Sequence, residues 1–155
     1  MKVIMIVLLF VLSWAFFASV GMGQSWLEIR EGTKKIVEGR DPELKMTAKL
    51  EEENRAFYKW YFSENDEERW VVVNIFYEKS RSDASKQMER TNLHLPAGPG
   101  RKRSDLGDQA FYSVNEVTGS ASIRFRIANV YFTVGTTSLT EVEELARSFE
   151  KLIKK

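Results

Sequence analysis

The feature that most constrains the fold is a period-2 apolar pattern between residues 121 and 134. Every second residue is apolar in 121–127 and again in 130–134, which is typical of strands with one buried face. Ala128 and Asn129 separate the two runs, and Asn can adopt the positive φ that a two-residue hairpin loop needs. The pattern therefore predicts a β-hairpin whose inward residues are Ile123, Phe125, Ile127, Val130, Phe132 and Val134.

An amphipathic segment follows the hairpin and predicts a helix that packs on it. Ser138 or Thr140 is suited to cap this helix, with Glu141 or Glu143 three residues later to complete a capping box. Acidic residues cluster in its first turn and lysines in its last, which suits the helix dipole. Its apolar residues recur at spacings of three and four, at Leu139, Val142, Leu145, Ala146, Phe149, Leu152 and Ile153.

The preceding chain repeats the same types of element in a regular order. Helical spacing predicts helices over 25–38 and 80–92, and strands are predicted over 43–51, 55–63, 69–77 and from Ala110 onward. The first of these strands alternates Leu44, Met46, Ala48 and Leu50, which predicts a single buried face for those four residues. The Pro/Gly-rich stretch 95–104 predicts a loop. The fold class predicted is α+β, with an antiparallel sheet of about six strands and flanking helices in the order α-βββ-α-βββ-α.

The N-terminus has the layout of a secretory signal peptide. Lys2 precedes an apolar run from Val3 to Val20, and small residues follow at Gly21 and Gly23. We therefore predict a leader over residues 1–23 and a single domain over 24–155, exported to the periplasm or the extracellular space. An uncleaved membrane anchor is the alternative, because about 18 apolar residues approach the length that spans a bilayer.

Composition excludes several classes of site. The chain has no cysteine, so it has neither disulfides nor thiolate metal ligands nor a Cys nucleophile. Without Lys2, the 22 remaining basic residues balance 22 acidic ones. A neutral domain has no general attraction for nucleic acid, and contact with the membrane is expected only if the leader is retained.

Motifs for catalysis or cofactor binding are missing from the sequence. His94 is the only histidine, and phosphate-loop, dinucleotide and nucleophile-elbow patterns do not occur. We therefore predict no catalytic residue, no metal and no cofactor. Asp105 and Asp108 are the one carboxylate pair that a hydrolase would use, but a loop Asp more often accepts hydrogen bonds from backbone N–H groups. Likewise, the basic run 101–103 is expected to be a solvated part of the loop.

The C-terminal third resembles a known type of exported domain. The stretch Leu106-Gly-Asp-Gln-Ala-Phe-Tyr112, the hairpin over 123–132 and the closing helix together resemble exported bacterial domains of uncharacterised function. These include sensor-like extracellular domains and small envelope proteins with a Mog1/PsbP-like α+β sandwich. The resemblance covers residues 105–153 and implies no catalytic residues. It departs from those families in having no cysteine for a disulfide or a lipid anchor.

Aromatic residues supply the candidate binding contacts. Tyr58, Trp60 and Phe62 share one face of a predicted strand, while Phe57 and Tyr61 share the other with Lys59. If one face is core, the other lies under a helix, which is the default, or is exposed as a patch for an apolar ligand or a protein partner. Arg124, Arg126 and Tyr131 lie on the outward face of the hairpin, where solvent exposure is the default. The candidate contacts are Tyr58, Trp60, Arg124, Arg126 and Tyr131.

Three functions are consistent with these features. The leading hypothesis is a non-enzymatic envelope protein that serves as a binding or accessory module for a protein partner. The first alternative is a carrier of a small apolar ligand or lipid, held in a pocket between the sheet and a helix. The weakest alternative is an uncharacterised hydrolase that uses Asp105 or Asp108.

Overall fold

The computed structural model describes residues 24–63, 66–93 and 100–155. The predicted leader over 1–23 and His94 lie outside the described residues. None of the described helices is long and apolar enough to cross a bilayer.

The described residues form three helices and seven strands. The helices are α1 (Trp26–Arg40), α2 (Arg81–Leu93) and α3 (Leu139–Ile153). Ser25 caps α1 in a reciprocal capping box with Glu28, and the Ser138 hydroxyl accepts a hydrogen bond from the Glu141 N–H at the start of α3. The strands are β1 (Lys45–Glu51), β2 (Arg55–Ser63), β3 (Asp66–Tyr77), β4 (Arg101–Arg103), β5 (Gln109–Val114), β6 (Ala121–Ile127) and β7 (Val130–Thr136).

All seven strands form one antiparallel sheet in the order β1-β2-β3-β7-β6-β5-β4. The predicted α+β class and the order α-βββ-α-βββ-α are confirmed. The strand count of six is wrong, because 101–103 forms the edge strand β4 instead of a solvated loop. Arg103 fixes that strand by pairing with Ala110 of β5 and by binding Glu143 of α3 at 2.8 Å.

The main core lies between α1, α3 and one face of the sheet, called here the inner face. On this face Phe125 and Phe132 stack across β6 and β7 with their centroids 5.0 Å apart, and Phe149 of α3 stacks on Phe132 at 5.5 Å. All three rings are fully buried. The predicted hairpin and closing helix therefore pack together through one aromatic column.

Helix α2 packs on the opposite, outer face, over β6 and β7. Ala84 and Met88 of the helix are fully buried there, and so is Tyr131 of β7. The Ser85 hydroxyl donates to the Gln109 side chain at 3.0 Å, which ties α2 to β5 as well. The sheet is thus covered on both faces along β5, β6 and β7.

A bulge in β1 overturns the predicted alternation of that strand. The register shifts between Met46 and Ala48, so that Met46 pairs with Trp60 but Ala48 pairs with Lys59. A shift of one residue turns every later side chain to the other face. Leu50 therefore points outward and is 42% exposed, whereas Glu51 points inward.

The β6–β7 turn places its positive φ on Ala128 (+52°) instead of on the predicted Asn129. Neighbouring loops hold this conformation. The Ala128 N–H donates to the Asp108 carboxylate at 2.8 Å, and the Ala128 carbonyl accepts from the Arg126 guanidinium at 2.8 Å. Asn129 instead bonds Glu78 through both its side chain and its carbonyl. The turn is set by tertiary contacts rather than by the residue that best tolerates it.

The loop before β5 depends on a glycine. Gly107 has φ +59°, and a Cβ built on it would lie 2.5 Å from the Arg126 carbonyl oxygen. We expect Gly107→Ala to lower the free energy of unfolding by about 2–3 kcal/mol, because it adds backbone strain to a backbone clash. Urea denaturation measures the change.

Gly39→Ala is the matched control. Gly39 lies in α1 with open space where a Cβ would be, so the same substitution should stabilise by about 0.5 kcal/mol through helix propensity. Equal effects at the two glycines would contradict the role assigned to Gly107.

Candidate functional site

Two of the predicted contact residues, Tyr58 and Trp60, lie in the core. Both point to the inner face beneath α1 and are fully buried. The Trp60 indole N–H lies 3.4 Å from the Glu38 carboxylate, and the Tyr58 hydroxyl donates to Glu51 at 2.6 Å. Their polar atoms therefore bind neighbouring elements of this chain.

The outward residues of the hairpin are also enclosed. Arg124 and Tyr131 are fully buried under α2, so the prediction that they are solvent-exposed is wrong. Arg124 donates to the Ser113 hydroxyl at 3.0 Å, and burial lowers the pKa of its guanidinium. Arg126 binds Asp108 at 3.0 Å in support of the turn. Ligand contact by the five candidate residues stays a prediction.

The two carboxylates proposed for a hydrolase are not brought together as a pair. Asp105 forms ion pairs with Arg103 at 2.8 Å and with Arg147 at 2.7 Å. Hydrogen bonds from these two guanidinium groups lower the pKa of Asp105. Asp108 instead accepts the Ala128 N–H and an Arg126 N–H, the backbone-binding role expected of a loop Asp.

Glu51 lies at the centre of a polar cluster between β1, β2 and α1. It accepts from Tyr58 at 2.6 Å and forms ion pairs with Lys49 at 2.9 Å and Lys34 at 3.4 Å. Burial alone would raise the pKa of Glu51, but the hydrogen bonds from Tyr58, Lys49 and Lys34 lower it to about 2. Burial, together with the adjacent Glu51 carboxylate, raises the pKa of Tyr58. The cluster joins the edge of the sheet to α1.

Several large apolar side chains are partly exposed on the outer face of β1, β2 and β3. The strand registers place Leu50 beside Phe57 and Tyr61 beside Trp70. Lys59 and Val72 pair between these two rows. Leu50 is exposed and the others are half-buried. We call this surface the outer aromatic face; it comprises Leu50, Phe57, Tyr61, Trp70, Val72 and Phe76.

Contacts within the sheet fix the orientation of its rings. Phe76 stacks on the buried Tyr131 with centroids 5.3 Å apart. Gly135 of β7 leaves room for the indole of Trp70, because a Cβ there would lie 3.2 Å from the ring. Phe76 and Trp70 are therefore held in place by contacts within the sheet.

The charges on this surface have one sign. The Arg55 guanidinium lies 5.2 Å from the Phe76 ring centroid, the Lys59 ammonium lies 4.6 Å from that of Tyr61, and Lys45 points to the same side. Residues 45–50, 55–61 and 70–76 include no Asp or Glu. Lys59 lies in the middle of this face, where it pairs with Val72, and Asn74 pairs with Phe57. The described charges of the outer aromatic face are therefore all basic, and they alternate with its apolar side chains.

The sheet edges are poorly suited to accept another strand. The edge strand β1 is interrupted by its bulge and carries Lys45 and Lys49, and the opposite edge strand β4 has only three residues. Bulges, lysines and short edge strands all disfavour strand addition. A partner is thus expected to bind a face of the sheet rather than an edge.

A cleft of about 930 Å³ lies where β3 ends, between the start of α1 and one side of α2. Apart from Trp26 and Tyr77, its lining is charged or amide-bearing, at Glu53, Asn54, Glu78, Lys79, Asp83, Lys86, Gln87 and Arg90. Small-molecule pockets are usually lined mostly by apolar side chains. The cleft is therefore a poor match for a small apolar ligand.

Comparison of the chain with protein-family models, with curated proteins and with solved structures found no match. The resemblance to Mog1/PsbP-like and sensor-like domains therefore stays a prediction.

The sequence pattern places Phe57 and Tyr61, two residues of the outer aromatic face, on one strand face with Lys59. It predicts cover by a helix as the default for that strand face. The structure favours the exposed alternative, because α2 packs on β6 and β7 instead. Leu50 was missed since a bulge has no clear signal in an alternating sequence.

Replacing Glu51 tests the polar cluster through the pH dependence of stability. The pKa of Glu51 is lower in the folded chain than its usual 4.5, so its stabilising effect is present above pH 4.5 and is lost as pH falls toward 2. We expect Glu51→Gln to cost about 2 kcal/mol at pH 7. The difference from the parent protein should shrink between pH 4.5 and 2, as measured by urea denaturation. A difference that stays constant over this range would contradict the ionised role of Glu51.

Proposed function

We propose that this protein is an exported, non-enzymatic envelope protein that binds a protein partner on its outer aromatic face. The observation that carries the proposal is a set of partly exposed apolar side chains on half of the outer face of the sheet, while the inner face carries the core. Phe57, Tyr61, Trp70 and Phe76 do not belong to the buried core cluster. Contacts within the sheet hold Phe76 and Trp70 in place, so these two rings are available for binding without reorganisation.

Size and composition support a protein partner. From strand spacing, the outermost Cα positions of the face lie on the order of 10 Å by 20 Å apart. The largest apolar patch on a typical monomer measures a few hundred Å² and is often functional. Aromatic residues and arginine are enriched at protein interfaces, and both occur here.

The two alternatives gain less support. A carrier of an apolar ligand needs an apolar cavity between sheet and helix, but stacked rings fill the space between the sheet and α3. The cleft near Trp26 has a polar lining. A hydrolase needs a carboxylate free to exchange protons, whereas Asp105 and Asp108 both bind arginine.

Export is tested on the mature protein. We expect N-terminal sequencing to find Gln24 or Met22 as the first residue, because small residues precede both positions. Edman degradation or mass spectrometry of the native protein gives the answer. An intact Met1 would contradict cleavage and, in a membrane fraction, would support the anchored alternative.

Site-specific photo-crosslinking tests the binding surface. We expect a benzophenone amino acid at Val72, in the middle of the outer aromatic face, to give a discrete adduct with one protein in the cells that produce this chain. Its matched control is the same probe at Lys35, an exposed position on α1 at the opposite face of the sheet. Phe57→Gln should abolish the Val72 adduct with a stability cost of about 1 kcal/mol or less, since Phe57 is only half-buried. Adducts of equal yield at Val72 and Lys35, or none at Val72, would overturn the proposal.

A further inference from the structure

The two faces of the sheet are covered unequally. On the inner face α1 lies over Tyr58 and Trp60 of β2, while α3 lies over β6 and β7. The two helices are joined by an ion pair between Arg40 and Glu144. On the outer face, α2 lies over β6 and β7, as α3 does on the inner face. No described helix lies over β1, β2 and β3 on the outer face in the way that α1 does on the inner face. That half is the outer aromatic face.

The width of this half matches one helix. Strands lie about 4.8 Å apart, so the axes of β1 and β3 are about 10 Å apart. A helix with its side chains is roughly 10–12 Å wide. Helix α2 projects from the sheet along one side of the outer aromatic face. A partner with a wide, flat surface would collide with α2. The space beside α2 therefore fits a single helix with an apolar stripe.

The charges on this half of the sheet indicate which charged residues a partner helix carries beside its apolar stripe. Lys45, Arg55 and Lys59 are the charged residues at the described outward positions of β1 and β2, and all are basic. A partner with carboxylates beside its apolar stripe would be attracted to this surface, and a basic one would be repelled.

Three other occupants fit less well. A second copy bound through the same face would bring its Lys and Arg residues against the Lys and Arg residues of the first copy, and these like charges would repel each other. Residues 1–23 have a single charge, on Lys2, and residues 94–99 contain no carboxylate. An added β-strand is disfavoured by the bulge and lysines of the β1 edge.

We infer that the protein partner presents an acidic amphipathic helix, which lies on the outer aromatic face beside α2. This inference rests on the proposed function and specifies the chemistry of its partner. Binding follows the helix-in-groove mode, in which apolar residues spaced by three and four contact the groove. Phe57, Val72 and Phe76 receive the apolar stripe, while Arg55 and Lys59, which flank Phe57 along β2, bind carboxylates of the helix.

Crosslink positions on the partner test the helix. Benzophenone probes at Phe57, Val72 and Phe76 should each form adducts with one segment of the same protein, at positions spaced by three or four residues. That segment, made as a synthetic peptide, should bind the full-length purified protein and become helical on binding, as measured by circular dichroism. Adduct positions spaced by two residues would indicate an extended strand and overturn the inference. An adduct with a second copy of this chain would also overturn it.

Charge reversal tests the acidic border. We expect Lys59→Glu to reduce the Val72 adduct at least tenfold, and Lys59→Gln to reduce it less. Lys35→Glu on α1 is the matched control and should leave the yield unchanged. Circular dichroism and thermal denaturation of each variant check that the fold is retained. An adduct that persists unchanged in Lys59→Glu would overturn the acidic character of the partner but not the binding surface. The absence of any specific adduct in the parent protein would overturn the proposed function itself.

Discussion

The column formed by Phe125, Phe132 and Phe149 is the contact on which the rest of the structure depends. β6, β7 and α3 follow one another in sequence, and each contributes one ring to the column. Burying a Phe side chain contributes roughly 2–3 kcal/mol, and stacked pairs add to this. Because β7 also pairs with β3, the column connects the C-terminal hairpin to the N-terminal half of the sheet. Both halves of the chain thereby share one core.

Polar residues serve mainly to hold neighbouring elements in this protein. Asp108 and Arg126 support the strained turn at Ala128, Arg103 fixes the edge strand β4, and Glu51 ties β1 to α1. Because these polar residues bind other parts of the same chain, they are poor candidates for contacts with a partner. The better candidates are the aromatic side chains that lie outside the core and form the outer aromatic face.

The candidate site was only partly accessible to sequence reasoning. The alternation of Phe57, Lys59 and Tyr61 placed them on one face, because the strand period is local and regular. Which face lies under a helix depends on where α2 docks. The strands that α2 contacts begin 28 or more residues after the helix ends, at Ala121 and Val130. Tyr58 and Trp60 were candidates for the same reason: a strand pattern shows that two faces differ but not which one is core.

The sequence by itself determined the α+β class, the order of the helices and strands, the hairpin and the amphipathic helix α3. These follow from local periodicity, capping and turn residues, whose energies depend on neighbours within a few positions. Only the tertiary structure decided the bulge in β1, the positive φ at Ala128, the strand β4, and the burial of Arg124 and Tyr131. Each of these depends on contacts between residues distant in sequence. The same contacts cover one half of the outer face with α2 and leave the aromatic side chains of the other half partly exposed.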